Sequence, residues 1–228
     1  MKKIDFVIRP GFEGLEYIDK SKPRESKYFY PEWWKKIPSK MGDGVIPHTR
    51  TVKMCPSFAD IYNEGFVIVA PCDIVLRYHE QSQLWEWETS MSQIEIEVHG
   101  NNQFVNWVNG DVKSIFKLPL PYAVFLPKGY NLRQVPLIYN YNPDWHVAYG
   151  VYRADQVPEL TIQIMYTSDK KEILIKQGTP LCQMVPYKRE KFTYSFVKLK
   201  EIHMRKIKAG WYRATSKFTF SHIKNTED

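Results

Sequence analysis

The chain has 228 residues, 43% of them hydrophobic and 25% charged, with 32 Lys+Arg against 25 Asp+Glu for a formal charge of +7. This composition excludes wholesale disorder, and the length suits one large β-type domain or two small ones that bury about 70% of the unfolded surface. No apolar run reaches the ~18 residues of a membrane helix, residues 1–5 lead into no signal-peptide core, and three scattered cysteines (Cys55, Cys72, Cys182) favour a reducing compartment over a disulfide framework.

Residues 3–9 predict a first strand, stopped by Pro10-Gly11. Residues 20–50 are rich in Lys and Pro, and Tyr28, Phe29, Tyr30, Trp33 and Trp34 crowd into seven positions. Within them 31–36 predicts one helical turn, with Pro31 at its start and Pro38 beyond its end. Residues 55–65 predict a short helix: Pro56 suits the first turn, Phe58, Ala59, Ile61 and Tyr62 form an apolar face, and Gly65 stops it. From Phe66 the pattern turns to β, with strands at 66–70 and 73–78 flanking Pro71-Cys72. Residues 84–88 and 93–98 alternate apolar with polar, which gives one buried and one wet face.

Further strands are predicted at 113–118, 121–127, 130–139, 146–153, 159–166, 171–176, 180–186 and 192–199. Turn signals at Pro127-Lys128-Gly129, Asn142-Pro143-Asp144 and Gln177-Gly178-Thr179-Pro180 separate several of them. Residues 200–214 predict a basic amphipathic helix interrupted by Gly210. Many short strands with little helix indicate an all-β fold, a sandwich, jelly roll or barrel with a few short helices and extended N- and C-terminal arms. No repeat of 20–50 residues points to a propeller or solenoid. The predicted divisions are an N-terminal strand with an aromatic and basic arm (1–50), a single β-rich body (51–187) and a basic C-terminal extension (188–228).

The charge is localised. Residues 188–228 hold eleven Lys+Arg and four acids, while the preceding 187 residues hold 21 of each. A local basic stretch attracts phosphates whatever its fold, so nucleic acid is one partner class for the C-terminus. A solvated tail docked on an acidic protein face is the plainer reading.

Catalytic chemistry has no complete signature. The six histidines (His48, His79, His99, His146, His203, His222) stand alone, so no metal site or cofactor is assigned. Asp144 and His146 are the nearest pair of potential ligands, and they read as a turn aspartate and a strand-end histidine. There is no G-x-S-x-G elbow, Walker A loop or G-x-G-x-x-G turn, and no cysteine has a catalytic context, so no catalytic residue is assigned.

Two family resemblances follow from particular segments. Leu126-Pro127-Lys128-Gly129-Tyr130, Gly150-Val151-Tyr152-Arg153-Ala154-Asp155, Glu159–Ile164 and Ile175–Pro186 resemble, in order, the segments of the dUTPase and dCTP deaminase β-barrel. The resemblance covers residues 119–189 and implies that barrel. Arg153 stands where the family has its aspartate, and the A-G-x-D and R-S-S/G segments have no counterpart. The family's hydrolysis is therefore not implied with the fold. On this reading Arg133, His146 and Arg153 contact phosphates of a nucleotide, and Gln183 orients a base or braces the barrel.

Pro31–Lys36, Thr51–Asp60, Gly65–Ile68, Pro71–Ile74, Pro127–Tyr130, Gly178–Leu181 and Pro186–Arg189 look like a family of uncharacterised tailed-bacteriophage proteins, over residues 31–189. This resemblance implies a bacteriophage source, with the host cytoplasm during infection or the virion as location. It implies no activity. The function expected from the sequence is a non-enzymatic phage protein, a virion component or accessory binder that assembles through its arms with itself or other phage proteins. The partner-binding residues are Tyr30, Trp33, Trp34, Lys35, Lys36, Arg205, Lys206 and Lys208, because aromatic and cationic side chains on arms anchor protein contacts. No membrane partner is expected.

Overall fold

The structure, a computed structural model, describes residues 3–42, 49–82, 84–99, 103, 112–140 and 142–210. His48, His222 and the 211–214 end of the predicted C-terminal helix lie outside the described residues. The strands are β1 (Asp5–Ile8), β2 (Arg24–Glu25), β3 (Lys40–Met41), β4 (Thr49–Arg50), β5 (Phe66–Val69), β6 (Ile74–His79), β7 (Leu84–Thr89), β8 (Glu97–Val98), β9 (Ser114–Phe125), β10 (Tyr130–Pro136), β11 (Trp145–Val147), β12 (Gly150–Tyr152), β13 (Glu159–Tyr166), β14 (Glu172–Ile175) and β15 (Pro180–Lys188). The helices are α1 (Glu32–Lys36), α2 (Pro56–Asn63) and α3 (201–210). No helix among the described residues is long and apolar enough to cross a membrane.

Two compact units divide the chain: 1–31 with 64–189, and 32–63 with 190–228. These differ from the divisions read along the sequence, because β1 and the segment up to Pro31 belong with the β-rich body. The first unit is built of antiparallel sheets, as the alternating sequence predicts. One runs β1-β9-β13-β11, with β8 also on β9; a second runs β12-β10-β15-β5-β2; a third runs β14-β6-β7. The fold is all-β and its sheets share one core.

That core is built by side chains two apart. Phe116, Leu118, Leu120, Tyr122 and Val124 of β9 line up with Leu160, Ile162, Ile164 and Tyr166 of β13, and all are buried. Ile68 of β5, Ile74 and Leu76 of β6, Leu132 of β10, Ile173 and Ile175 of β14 and Met184 of β15 join the same cluster. Each such side chain contributes about 1.5–3 kcal/mol by leaving water. Trp85 of β7 adds edge-on ring contacts to Phe116 and Tyr166, at centroid distances of 5.3 and 4.7 Å.

Four expectations change. The strands predicted at 113–118 and 121–127 are one twelve-residue strand, β9, running through two prolines. The Pro121 carbonyl accepts from the Arg9 N–H at 3.0 Å, so the hydrogen-less nitrogens of Pro119 and Pro121 face the β1/β8 side. There β8 pairs residues 116–117 and β1 pairs 122–125, and the prolines fall where neither strand needs a donor. The segment 146–153 is two strands in two sheets, β11 and β12, with the crossing at Ala148-Tyr149. Of 93–98 only β8 is strand, although Ile94 and Ile96 are buried. Residues 192–199 join no ladder among the described residues.

The second unit holds a small aromatic stack. Trp34 lies parallel to Phe58 at 5.8 Å, Trp33 meets the same ring edge-on at 5.8 Å, and Tyr62 lies 5.5 Å away. These residues come from α1 and α2, whose existence the Pro-initiated turns predicted. Between the helices, β3 and β4 form a two-stranded ladder, and Thr51 caps the 3-10 turn Val52–Met54 by accepting from the Lys53 N–H.

Candidate functional site

A polar latch forms just past the end of β15, at Arg189. Asp155, its side chain 3% exposed, receives both Arg189 guanidinium nitrogens and the Gly129 N–H. Arg189 also donates to Asn131 Oδ1 at 2.9 Å, and its own N–H donates to the Gly129 carbonyl at 2.8 Å. The Arg189 guanidinium first, and the Gly129 N–H second, hold the Asp155 carboxyl below the usual aspartate range. The turn Pro127–Tyr130, the turn after β12 and the end of β15 are thereby tied to one point. Sequence reasoning flagged the turn at Pro127-Lys128-Gly129 but neither the turn after β12 nor this pairing, since Asp155 and Arg189 are 34 residues apart.

Beyond the latch the chain runs Lys191-Phe192-Thr193-Tyr194-Ser195-Phe196-Val197-Lys198-Leu199-Lys200 with no helix or strand. Phe192, Tyr194 and Phe196 are 82, 94 and 103% exposed, and Val197 and Leu199 are exposed as well. Apolar side chains two apart are a strand pattern. Here, among the described residues, the pattern has no ladder.

The eight partner-binding residues fall into groups. Trp33, Trp34, Lys35 and Lys36 share α1, where Trp33 is exposed, Trp34 half-buried and Lys35 bonded to Glu32 Oε1 at 2.5 Å. Arg205, Lys206 and Lys208 share α3, all exposed, with Arg205 bonded to Glu201 at 2.5 Å. Tyr30 is half-buried and belongs to the first unit.

Of the four residues proposed for a nucleotide, Arg133 of β10 lies opposite Val185 of β15 and Val151 of β12, so Gln183, two positions from Val185, shares its face of the sheet, while His146 belongs to β11 of another sheet. Arg133 points outward from β10, its guanidinium carbon 4.8 Å from the Tyr187 ring centroid. Gln183 is buried and donates Nε2 to the Glu64 carbonyl at 2.7 Å, a bracing bond. Arg153 is exposed on the turn after β12. Of the four, His146 alone lines a cavity of about 280 Å³, with Pro136, Leu137, Trp145, Val147 and Leu181 as apolar wall and Asn140, Asn142 and Thr179 as polar rim. On that rim the Leu137–Asn140 turn holds Tyr139 at φ 60°, in the left-handed region.

A buried polar group escaped the sequence entirely. The Tyr152 hydroxyl donates to the Thr161 carbonyl at 2.5 Å and lies 3.1 and 3.0 Å from the amides of Gln134 and Gln163. Gln134 in turn donates to the Ala148 carbonyl at 2.6 Å. This network ties β10 and β12 of one sheet to β13 of another, and burial pushes the phenol up. Among the described residues no three His, Cys, Asp or Glu side chains gather as metal ligands, and the cysteines are unbridged.

No protein-family model matches the sequence. No curated protein matches it either. Among solved structures, the chain is similar to the dUTPase from phage phi11 of S. aureus, described for its species-specific insert, and to a point mutant of that dUTPase, described for coordination of a structural Mg(II) ion. Each is 15% identical with a TM-score of 0.33, and the match covers 60% of this chain and 84 or 85% of the other.

Proposed function

We propose that the chain is a non-enzymatic assembly protein that joins a second copy of itself by donating the arm 190–199 as a strand. The bacteriophage setting rests on the sequence resemblance over 31–189. The observation that carries the reading is the arm: three aromatic rings two apart, 82–103% exposed, on a segment that joins no ladder among the described residues. Each ring buries about 150–250 Å² when covered, a gross gain on the order of 10 kcal/mol per arm. That is comparable with the roughly 4–15 kcal/mol lost on association, so reciprocal donation by two copies is the favourable arrangement. At sheet ends, β7, β11, β12 and β14 are among the strands with a single ladder partner among the described residues, an edge to which such an arm can add.

Sedimentation of the full chain at micromolar concentration tests it. The expected result is a dimer or larger closed oligomer that Phe192→Ser/Tyr194→Ser/Phe196→Ser converts to a folded monomer with unchanged melting. A full-length parent that sediments as a monomer overturns the reading.

The cavity beside His146 favours a second reading, a small-molecule site. Holding an aromatic residue in the left-handed region costs about 1–2 kcal/mol, and such strain concentrates at ligand sites. A thermal-shift screen with deoxynucleoside triphosphates checks it, and an unmoved transition at millimolar ligand removes the nucleotide form.

A further inference from the structure

The units relocate the charge. Residues 32–63 and 190–228 together hold fourteen Lys+Arg and seven Asp+Glu, so this unit carries the whole +7, and the other unit holds eighteen of each. Part of the excess therefore sits with the tryptophans of α1, outside the C-terminal extension where the sequence alone places it.

Local bonds draw these cations together. Lys53 Nζ donates to the Lys35 carbonyl at 3.0 Å and lies 5.4 Å from the Trp34 ring centroid. Thr51 donates its hydroxyl to the Pro38 carbonyl at 2.6 Å and its N–H to the Ser39 carbonyl at 3.0 Å. The β3–β4 ladder then sets Lys40 directly opposite Arg50. Like charges in direct cross-strand register destabilise a ladder, so this hairpin carries a cost that an anion would remove. Lys36, Lys40 and Arg50 are exposed and make no ion pair among the described residues. Trp33, 43% exposed, is three positions from Lys36 and shares its face of α1.

We propose that residues 32–42 and 49–53 bind single-stranded nucleic acid, with Trp33 stacked on a base and Lys36, Lys40 and Arg50 on phosphates. Unstacked bases offer a π-face to an exposed indole, and a row of cations follows the backbone beside it. An acidic protein segment would satisfy the cations and leave the indole without a planar partner.

Fluorescence titration of the full chain with labelled oligothymidylate tests this, reading both the label and tryptophan quenching. Three phosphate contacts on a single strand predict roughly 20-fold weaker binding between 50 and 200 mM salt. Trp33→Ala weakens binding about tenfold and Trp33→Phe restores most of it. Lys36→Glu/Lys40→Glu/Arg50→Glu abolishes binding while melting is retained. Arg50→Glu alone separates this role from a structural one: it places opposite charges across the ladder, so melting rises slightly as binding falls. Lys206→Glu/Lys208→Glu on α3 leaves affinity close to the parent value. No binding to the oligonucleotide overturns the proposal, as does loss of binding through the α3 variant alone. Equal competition by polyglutamate or by phosphatidylserine vesicles at matched charge also overturns it, assigning the patch to an acidic protein or a membrane.

Discussion

Gly65 joins α2 to β5 with φ +62°, and a Cβ built on it would stand 2.0 Å from the Met184 carbonyl oxygen on β15. Backbone on both sides is fixed by ladders, so neither can yield. Gly65→Ala should destabilise by more than about 1 kcal/mol, seen as a lower melting temperature. The stop signal at Gly65 was legible in the sequence, whereas the close approach was not, since it involves a strand more than a hundred residues away. Asp155 gives a pH prediction. Its folded pKa is held below the unfolded value of ~3.9, so its stabilisation is complete above that value and is lost as pH falls through the lower, folded one. Asp155→Asn should melt lower at neutral pH and show a flatter decline below about pH 4, while Asp144, lowered by Lys170 and Ser168, retains its own acid dependence. Thermal melts of both proteins from about pH 7 to about pH 2 check the sign.

Among the elements, those with a strict local period were readable in the sequence. β7 alternates Trp85 and Trp87 with glutamates, and β13 alternates Leu160, Ile162 and Ile164 with Thr161 and Gln163; both appear where the pattern puts them. Elements decided by partners were not. Proline normally ends a strand, and only the gap between β8 and β1 lets β9 continue through Pro119 and Pro121. The crossing at Ala148-Tyr149 depends on which sheet each half joins, which no local period records. The segment 192–199 has the right period and lacks a neighbour. Within β9, Phe116 is fully buried between Trp85 and Tyr166. Phe116→Ala should cost about 3–5 kcal/mol, a fall of roughly 10 °C in melting temperature by calorimetry.

For the whole molecule, the alternation of apolar residues announced an all-β body, and local charge counting announced a basic extension. The union of 32–63 with 190–228 as one compact unit was invisible, because segments separated by more than a hundred residues share no local signal. The register of the candidate nucleotide residues was equally invisible: Arg133 and Gln183 share a face of adjacent strands only because β10 pairs with β15, and His146 stands on β11 of another sheet. Brief trypsin digestion should cut first at Lys191, Lys198 or Lys200, where exposed chain outside helix and ladder can enter a protease cleft, and leave the ladders ending at Lys188 intact. Mass spectrometry of the first fragments reads the order of cleavage. The latch adds a mechanical consequence. A tension applied along the arm enters the β-rich unit at Arg189, the last residue before it, and passes to β15, which is hydrogen-bonded to β10 over Tyr130–Pro136 on one side and to β5 on the other. Such a load shears two ladders at once instead of unzipping an edge, so the strand bearing the arm is among those in the sheet best placed to withstand a pull.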